Sequence, residues 1–362
     1  MLKKQFLLVE PVSKTPYPPL GLMKISSMLK KKYKNCQVFE QAGDEVPFGL
    51  SEPDEIFITS LFTWDIDKVI KSVLDFRRKF PSSKINIGGI AASLLLDYVE
   101  SKTGIKPHVG LLDDAENMSP DYSLTFGRKL KTSITFISRG CKRKCKFCQV
   151  TKLEPTYFLR KNWVNDINEN YPLITFWDNN WFASPDFKNE CNELIKLNKK
   201  IDFNQGLDAR LFTKEKAEIL SQIDIDPIRF AFDDISYEKK IINAITLAQN
   251  FFSKGKEIRV YVLYNFNDTP EDFFYRIKLL NNLEVLSFPM EYRDPEAIKQ
   301  KLPGKHWNKA LLRGLKMSLL FYYRKGMITK SKESFDKIYG KSFNEFKNKL
   351  YKIYEYDRSL KR

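Results

Sequence analysis

The chain has 362 residues, 43% hydrophobic and 14% aromatic, and a net charge of +16. This length exceeds one small core, so we expect two or three domains, and the apolar content argues against disorder. No run approaches the roughly 18 apolar residues of a membrane helix. The run Phe6–Val9 also ends too early, at Glu10 and Pro11, for a signal peptide. We therefore expect a cytoplasmic protein with no membrane partner.

Strands and amphipathic helices alternate through the first 126 residues. The predicted elements are strands at 5–10, 55–62 and 84–92, and helices at 23–32, 65–80 and 93–100. Such alternation is typical of a parallel sheet covered by helices. The sequence therefore predicts an α/β fold that begins with a Rossmann-like domain over residues 1–126.

A second series of strands begins near residue 132. The candidate strands are 133–138, 173–178, 202–208, 228–234, 259–266 and 284–290. Amphipathic segments separate most of them, and Thr269–Asp272 has the sequence of a capped helix start. Six strands predict a partial (β/α)₆ barrel over residues 127–294, because a complete barrel needs eight. Residues 309–327 and 342–356 then predict helices, so 295–362 is expected to be a basic helical region.

Three of the five cysteines, Cys141, Cys145 and Cys148, follow the first barrel strand with the spacing C-x₃-C-x₂-C. Clustered thiols in such a chain indicate metal or redox chemistry rather than disulfides. Three thiolates can hold three irons of a [4Fe–4S] cluster and leave one iron open, since four cysteines are usual. The basic residues between the cysteines favour the thiolate form. A zinc site completed by His108 or His306 is the alternative, although zinc more often takes two C-x₂-C pairs.

The segment SRGCKRKCKFCQV, residues 138–150, resembles the cluster loop of the radical S-adenosylmethionine (radical SAM) superfamily. The resemblance covers about residues 5–290. It implies that the open iron binds the amino and carboxylate groups of S-adenosylmethionine and that Phe147 packs near the adenine. It also implies that the reduced cluster yields a 5′-deoxyadenosyl radical, which abstracts hydrogen from a substrate. An external electron donor of the flavodoxin or ferredoxin type is then expected.

Polar residues follow the barrel strands, and active sites of barrels gather at the carboxyl ends of strands. By the resemblance, Asp178 would meet the methionine amino group, although the Gly-Gly-Glu motif usual there is absent. Arg210 is suited to bidentate contact with a carboxylate or phosphate. The predicted cofactor-binding residues of these strand ends are Asp178, Asn179, Asn204, Gln205, Asp208, Arg210, Asp233 and Asn265. The alternatives are a strand-ending turn at 178–179, a rim ion pair between Asp208 and Arg210, and helix capping by Asp233 or Asp234.

Two features resemble the N-terminal domain of cobalamin-associated radical SAM enzymes. Pro18–Gly21 precedes a helix, and Gly88–Gly89 follows a strand. The Asp-x-His-x-x-Gly motif that supplies a cobalamin-ligating histidine is absent. We therefore favour a fold kept without cobalamin, with ligand-free cobalamin binding as the alternative.

The segment Lys299–Arg362 contains 18 Lys and Arg residues against 5 Asp and Glu residues, a net charge of +13. Concentrated positive charge favours a polyanionic partner such as RNA, and a solvated surface is the alternative. Residues Phe343, Phe346, Leu350, Tyr351 and Tyr354 fall at helical spacing and predict a core stripe. We also expect the neighbouring aromatic residues, Trp307 and Phe321–Tyr323, to be buried.

The expected activity is therefore radical chemistry on an unidentified substrate, with a nucleic acid as the first choice. Cobalamin-dependent methylation or rearrangement of a small molecule or peptide is the second. A non-catalytic nucleic-acid-binding protein stabilised by an iron–sulfur cluster or zinc is the third. The chain lacks the additional N-terminal cysteines of methylthiotransferases, which disfavours sulfur insertion.

Overall fold

The computed structural model describes residues 3–12, 15–300, 302–323 and 326–360. These residues form a mixed α/β fold with parallel sheets, which confirms the predicted α/β class. The chain divides into two compact units, Met1–Thr175 with Asp294–Gln300, and Phe176–Arg293 with Lys301–Arg362. The predicted division into 1–126, 127–294 and 295–362 stays a prediction.

The first unit begins with a four-stranded parallel sheet in the order β2-β1-β3-β4. Its strands are β1 (Lys4–Glu10), β2 (Cys36–Ala42), β3 (Glu55–Thr59) and β4 (Lys84–Gly88). The run Phe6–Val9 is fully buried, as expected for a strand covered on both faces. Leu8 pairs with Glu40 on one side and Phe57 on the other. β1 is therefore a central strand, as its continuous apolar sequence predicts.

Helices cover this sheet and close its core. They are α1 (Leu20–Lys32), α2 (Ile66–Lys79), α3 (Ile90–Leu94) and α4 (Leu96–Thr103). Two short helices follow: α5 (Asp113–Glu116), which packs on α1, and α6 (Val150–Leu153), which buries none of its residues. In α2, Val69, Val73 and Phe76 share one face and pack into the core cluster of the sheet. α1 begins at Leu20, three residues before the predicted start, because the Pro19 carbonyl already accepts the amide hydrogens of Leu22 and Met23.

Three predictions for the first unit are wrong in detail. β2 was not predicted, because this edge strand buries none of its residues fully and shows no apolar run. β4 ends at Gly88 rather than residue 92, because Gly89 has φ +97° and its backbone lies against Ser60, after which α3 begins. The strand predicted at 133–138 is interrupted and forms the first two of four short strands: β5 (Thr132–Thr135), β6 (Ser138–Arg139), β7 (Phe158–Leu159) and β8 (Leu173–Phe176).

These short strands frame the cysteine loop of the first unit. β5 lies next to β8 in one sheet, and β6 pairs with β7 in an antiparallel ladder that joins Ser138 to Leu159 and Arg139 to Phe158. A short 3₁₀ helix, Trp163–Asp166, follows β7. The loop that carries Cys141, Cys145 and Cys148 therefore leaves β6 and returns through α6 to the paired strand β7.

The second unit contains further parallel strands alternating with helices. These elements are α7 (Phe187–Leu197), β9 (Lys200–Phe203), α8 (Lys214–Leu220), β10 (Ile228–Ala231), α9 (Glu238–Phe251), β11 (Ile258–Tyr264), α10 (Pro270–Asn282) and β12 (Leu286–Glu291). The order β10-β11-β12 is parallel, and Val260 pairs with both Phe230 and Ser287. α10 begins with the predicted cap, in which Thr269 and Asp272 form a reciprocal capping box. Most of the strands end earlier than predicted, so their polar flanks are loops.

Three helices follow in the second unit: α11 (Lys309–Tyr322), α12 (Lys332–Tyr339) and α13 (Phe343–Ser359). Phe346, Leu350 and Trp307 are buried as expected. α12 was not predicted, and the expected burial of Phe321 and Tyr322 is wrong, because they end α11 with 45% and 54% of their surface exposed. Among the described residues, no helix combines the length and apolarity needed to cross a membrane.

Candidate functional site

The cysteine loop of the first unit keeps its three thiols half-buried and reduced. The Arg143 amide donates a hydrogen bond to Cys141 Sγ at 3.3 Å, and the Cys148 amide donates to the Cys145 carbonyl at 3.0 Å. The first bond fixes the position of the Cys141 sulfur, and the second closes a backbone turn between Cys145 and Cys148. The loop is thus a compact turn with three accessible soft ligands.

The base of this loop is held by a residue that the sequence analysis missed. Glu154 Oε2 accepts the Gly140 amide hydrogen at 2.7 Å, and Oε1 accepts from Arg139 Nη2 at 2.7 Å. Gly140 has φ +72°, and a Cβ there would lie 2.3 Å from the Thr156 carbonyl oxygen. Only glycine therefore fits directly before Cys141. One sequence feature could have indicated this anchoring role: Glu154 is the first acidic residue after Arg139 in a lysine-rich segment.

A buried network of charges continues beneath the loop. Glu116 Oε1 lies 3.7 Å from Arg139 Nε, 3.3 Å from Arg160 Nε and 3.5 Å from Lys24 Nζ. Arg160 Nη1 also donates to Asp166 Oδ2 at 2.5 Å, with both side chains almost fully buried. Burial lowers the pKa of Lys24 to about 8. Arg160 and Asp166 are hydrogen-bonded, and the opposite charges around Glu116 lie within ion-pair distance and largely away from water. These contacts hold the strand that precedes the cysteines in place.

The exposed rim of the loop is strongly basic. Lys142, Lys144 and Lys146 are exposed, and the Lys142 ammonium lies 4.7 Å from the ring centroid of Tyr157. Phe147 is half-buried between two of the cysteines. Within the described ranges, the His, Cys, Asp and Glu side chains form no group of three or more that is placed to hold a metal ion. The argument for a cluster in this loop therefore depends on its three cysteine thiols and on the hydrogen bond from Gly140 to Glu154 that holds the start of the loop.

The two histidines weighed as zinc ligands lie elsewhere. His108 is exposed in the first unit, and its Nε2 is 2.8 Å from the Leu111 carbonyl oxygen. His306 is exposed in the second unit. Neither belongs to a metal-binding group among the described side chains.

The second unit brings together polar residues from two predicted strand ends. Asp178 is 5% exposed and Asn179 half-buried, directly after β8. The neighbouring Asn180, which was not predicted, donates from Nδ2 to Asp208 Oδ2 at 3.4 Å. The loop after β8 therefore meets the loop after β9, as expected for neighbouring carboxyl ends of strands.

Asp208 and Arg210 form the ion pair that was weighed as a structural alternative. Arg210 donates from Nε to Oδ1 at 2.7 Å and from Nη2 to Oδ2 at 3.0 Å, and its guanidinium carbon lies 4.7 Å from the Tyr237 ring centroid. This bidentate, stacked geometry orients the guanidinium. Nearby, the Asn204 carbonyl accepts the Tyr261 hydroxyl hydrogen at 2.7 Å, while Gln205 is exposed. Cofactor contact by these residues stays a prediction.

Asp233 is a strand-end carboxyl of this unit whose pKa is raised. Burial raises the pKa of Asp233 to about 6, against the opposing effect of the Arg276 and Arg210 cations. Its Oδ1 accepts the Leu263 amide hydrogen at 3.3 Å. The capping role falls to Asp234, whose carboxylate accepts the Ser236 amide hydrogen. Asp233 is therefore available for proton transfer near physiological pH.

Arg276 is a second residue that the sequence analysis missed. It is fully buried, and its guanidinium donates to the Phe232 and Leu263 carbonyls at 2.7 and 2.9 Å and to Asp268 Oδ2 at 3.1 Å. The sequence feature that could have indicated its role is the position of this arginine on the apolar face of α10. It ties together the loops that follow β10 and β11, so it positions Asp233.

Asn265 has a backbone role in this structure. It is 2% exposed with φ +67°, its Oδ1 accepts the Gly304 amide hydrogen at 2.7 Å, and its Nδ2 donates to the Tyr292 carbonyl at 3.4 Å. Contact with a cofactor stays a prediction for this residue. The observed bonds already explain an asparagine here, because asparagine tolerates left-handed backbone geometry.

Comparisons with known proteins give no further guide: no family model matches the chain, and no curated protein matches it.

Proposed function

We propose that this protein is a radical SAM enzyme. The observation that carries the proposal is the C-x₃-C-x₂-C loop, whose three half-buried thiols follow Gly140, which Glu154 anchors. Cys141, Cys145 and Cys148 are the residues that would hold a [4Fe–4S] cluster. Their donor chemistry fits, because thiolates are the usual ligands of such clusters and three of them leave one iron for another ligand.

A cluster held by these three cysteines would, when reduced by an external electron donor, supply the electron for cleavage of S-adenosylmethionine to methionine and a 5′-deoxyadenosyl radical. The protein's own contribution is positioning. The Arg143 amide fixes the position of the Cys141 sulfur, and Glu154 fixes the start of the loop. Phe147 is the proposed contact for the adenine.

The strand-end residues of the second unit are proposed as cofactor- and substrate-binding residues. The oriented guanidinium of Arg210 and the carboxyl of Asp178 are suited to a zwitterionic ligand, because they carry opposite charges. Asp233, with a pKa near neutrality, is suited to hold or release a proton there. The remaining members of this proposed site are Asn179, Asn204, Gln205, Asp208 and Asn265.

The finer architecture belongs to the same proposal. The parallel order β2-β1-β3-β4 supports a Rossmann-like domain over residues 1–126. The strand–helix alternation from β5 to β12 supports a partial (β/α)₆ barrel over residues 127–294. Residues 295–362 then form the basic helical region.

A specific observation disfavours cobalamin at the carboxyl edge of the first sheet. Ligands of open parallel sheets bind beyond the carboxyl ends of the strands. Here the chain itself covers that edge: Arg128 Nη1 lies 2.7 Å from Glu10 Oε2, Arg128 Nε donates to the Thr15 carbonyl, and the Phe126 amide donates to Glu40. We therefore propose that this domain serves without cobalamin. Cobalamin retained on purification would contradict this part of the proposal.

The cluster is tested by metal and sulfide analysis after anaerobic reconstitution. The wild-type chain is expected to bind about four irons and four sulfides. Cys141→Ala is expected to lose this load, whereas Cys36→Ala, a matched cysteine change in the first unit, is expected to keep it. Stoichiometric zinc without sulfide would support the zinc-stabilised module instead. A full iron load in Cys141→Ala would refute the ligand assignment.

A further inference from the structure

Exposed apolar side chains gather at the carboxyl ends of α11 and α13 in the second unit. They are Leu320 (69% exposed), Phe321 (45%), Tyr322 (54%), Tyr356 (58%) and Leu360 (63%), which we call the aromatic patch. The rings of Phe321 and Tyr356 meet edge to face with centroids 6.2 Å apart, so both helices contribute to one surface. Exposed apolar patches of this kind mark interaction sites.

An exposed lysine of α13 shares a helix face with the aromatic patch. Lys352, Tyr356 and Leu360 follow at four-residue spacing, so they share one face at the end of α13. Two other cations of the region already have partners inside the unit: Arg313 pairs with Asp357 at 2.9 Å, and Lys316 pairs with Glu291 at 2.6 Å.

Most of the remaining cations face solvent. In the described part of the second unit, the following exposed lysines of the tail pair with no carboxylate: Lys305, Lys309, Lys330, Lys332, Lys337, Lys341 and Lys352. Within the described part of this tail, these seven positive charges are therefore not neutralised by carboxylates of the protein. A surface of this sign attracts a polyanion and repels a second copy of itself.

We propose that the aromatic patch, with Lys352 and the other exposed lysines of the tail, binds single-stranded nucleic acid. Unpaired bases offer faces that stack on exposed aromatic rings, and the intervening phosphates pair with lysines. Double-stranded nucleic acid is expected to bind less tightly than a single strand, because its base faces are already stacked on one another. The inference goes beyond the proposed radical chemistry and holds whether or not the cysteine loop carries a cluster. If both hold, nucleic acid is the substrate class.

The test is fluorescence anisotropy of a labelled oligouridine of about 12 nucleotides with the full-length protein, across roughly 50–200 mM KCl. Tyr356→Ala is expected to weaken binding about tenfold, because one stacking contact is lost, whereas Tyr356→Phe retains the ring and the affinity. Lys352→Glu is expected to weaken binding and to reduce the salt slope by about 0.7, the loss of one phosphate contact.

Two matched variants distinguish an effect specific to the aromatic patch from the effect of losing any exposed tyrosine or any positive charge. Tyr275→Ala removes another exposed tyrosine, 41% exposed on α10, and Lys240→Glu makes the same charge change on α9. Both are expected to bind oligouridine more tightly than the corresponding patch variants. Far-ultraviolet circular dichroism checks that each variant is folded.

Three results would overturn the proposal. One is equal oligouridine binding by the patch variants and their controls. Another is a dimer of the wild-type protein that Tyr356→Ala converts to monomer without loss of affinity, which would assign the patch to self-association. The third is binding to phosphatidylserine vesicles with none to oligouridine. Deoxyadenosine formation is measured separately, so failure of the radical SAM proposal is distinguishable from failure of this one.

Discussion

Removal of the Glu154 carboxylate should release the cysteine loop from its anchor. Glu154 and Arg139 are 13% and 8% exposed, and the carboxylate accepts from both the Arg139 guanidinium and the Gly140 amide at 2.7 Å. Breaking a buried charge pair by removing one partner costs about 3–5 kcal/mol. Because Arg139 keeps Glu116 nearby, we expect Glu154→Ala to destabilise the loop by about 3 kcal/mol, at the low end of that range.

Glu154→Gln gives an intermediate test. Glutamine keeps one oxygen acceptor, but an NH₂ group replaces the second oxygen. This NH₂ group would face either the Arg139 guanidinium or the Gly140 amide, both of which are also donors. The expected loss is about 2 kcal/mol, the energy of one hydrogen bond to a charged group. The matched control is Glu296→Gln, which removes an exposed partner of Lys152 in the same unit and should cost less than about 1 kcal/mol.

Hydrogen exchange by mass spectrometry is the suitable assay, because two compact units need not unfold in one transition. Peptides that span residues 136–160 should exchange faster in Glu154→Ala, by about two orders of magnitude for a loss of about 3 kcal/mol. Equal exchange in Glu154→Ala and Glu296→Gln would refute the anchoring role of Glu154.

Three further outcomes follow from the structure. Gly140→Ala should disrupt the loop and lower its iron load far more than Gly104→Ala, since both glycines have positive φ but only Gly140 faces a backbone oxygen at 2.3 Å. The pKa of Asp233 is higher folded, about 6, than unfolded, 3.8, so the folded state binds the proton more tightly. The stability of the wild type relative to Asp233→Asn should therefore fall by about 2–3 kcal/mol as pH rises from 4 to 6 in chemical unfolding titrations, and a flat difference would contradict the burial argument. Burial raises the pKa of Cys191 to about 12, so iodoacetamide at mildly alkaline pH should alkylate the three loop cysteines of the native apoprotein but reach Cys191 only after denaturation.

The elements with a strong local pattern were predictable from the sequence. The continuous apolar run of β1, the helical stripe of α2 and the capping box of α10 each specify their structure through near neighbours. β2 was not predictable this way, because an edge strand with no buried residue carries no periodic signal. Strand ends were overestimated because an apolar run does not show where a ladder of hydrogen bonds stops.

The candidate site was predictable only where the residues lie close together in sequence. The cysteine spacing and the strand-end carboxylates are local patterns. The partners that position them are distant: Glu116 reaches Arg139 and Arg160, and Arg276 reaches Asp233 from a later helix. Such long-range contacts depend on the fold, so single-sequence patterns do not specify them. The exposure of Phe321 and Tyr322 escaped prediction for the same reason, since helical spacing alone favours burial.

The central claim is tested most directly by the products of S-adenosylmethionine after anaerobic reconstitution and reduction of the protein. Chromatography should detect 5′-deoxyadenosine from the wild type and from Cys36→Ala, and none above background from Cys145→Ala. That result would establish the radical SAM class. A wild-type protein that assembles its cluster but yields no 5′-deoxyadenosine, and whose electron paramagnetic resonance signal does not change with S-adenosylmethionine, would contradict the account.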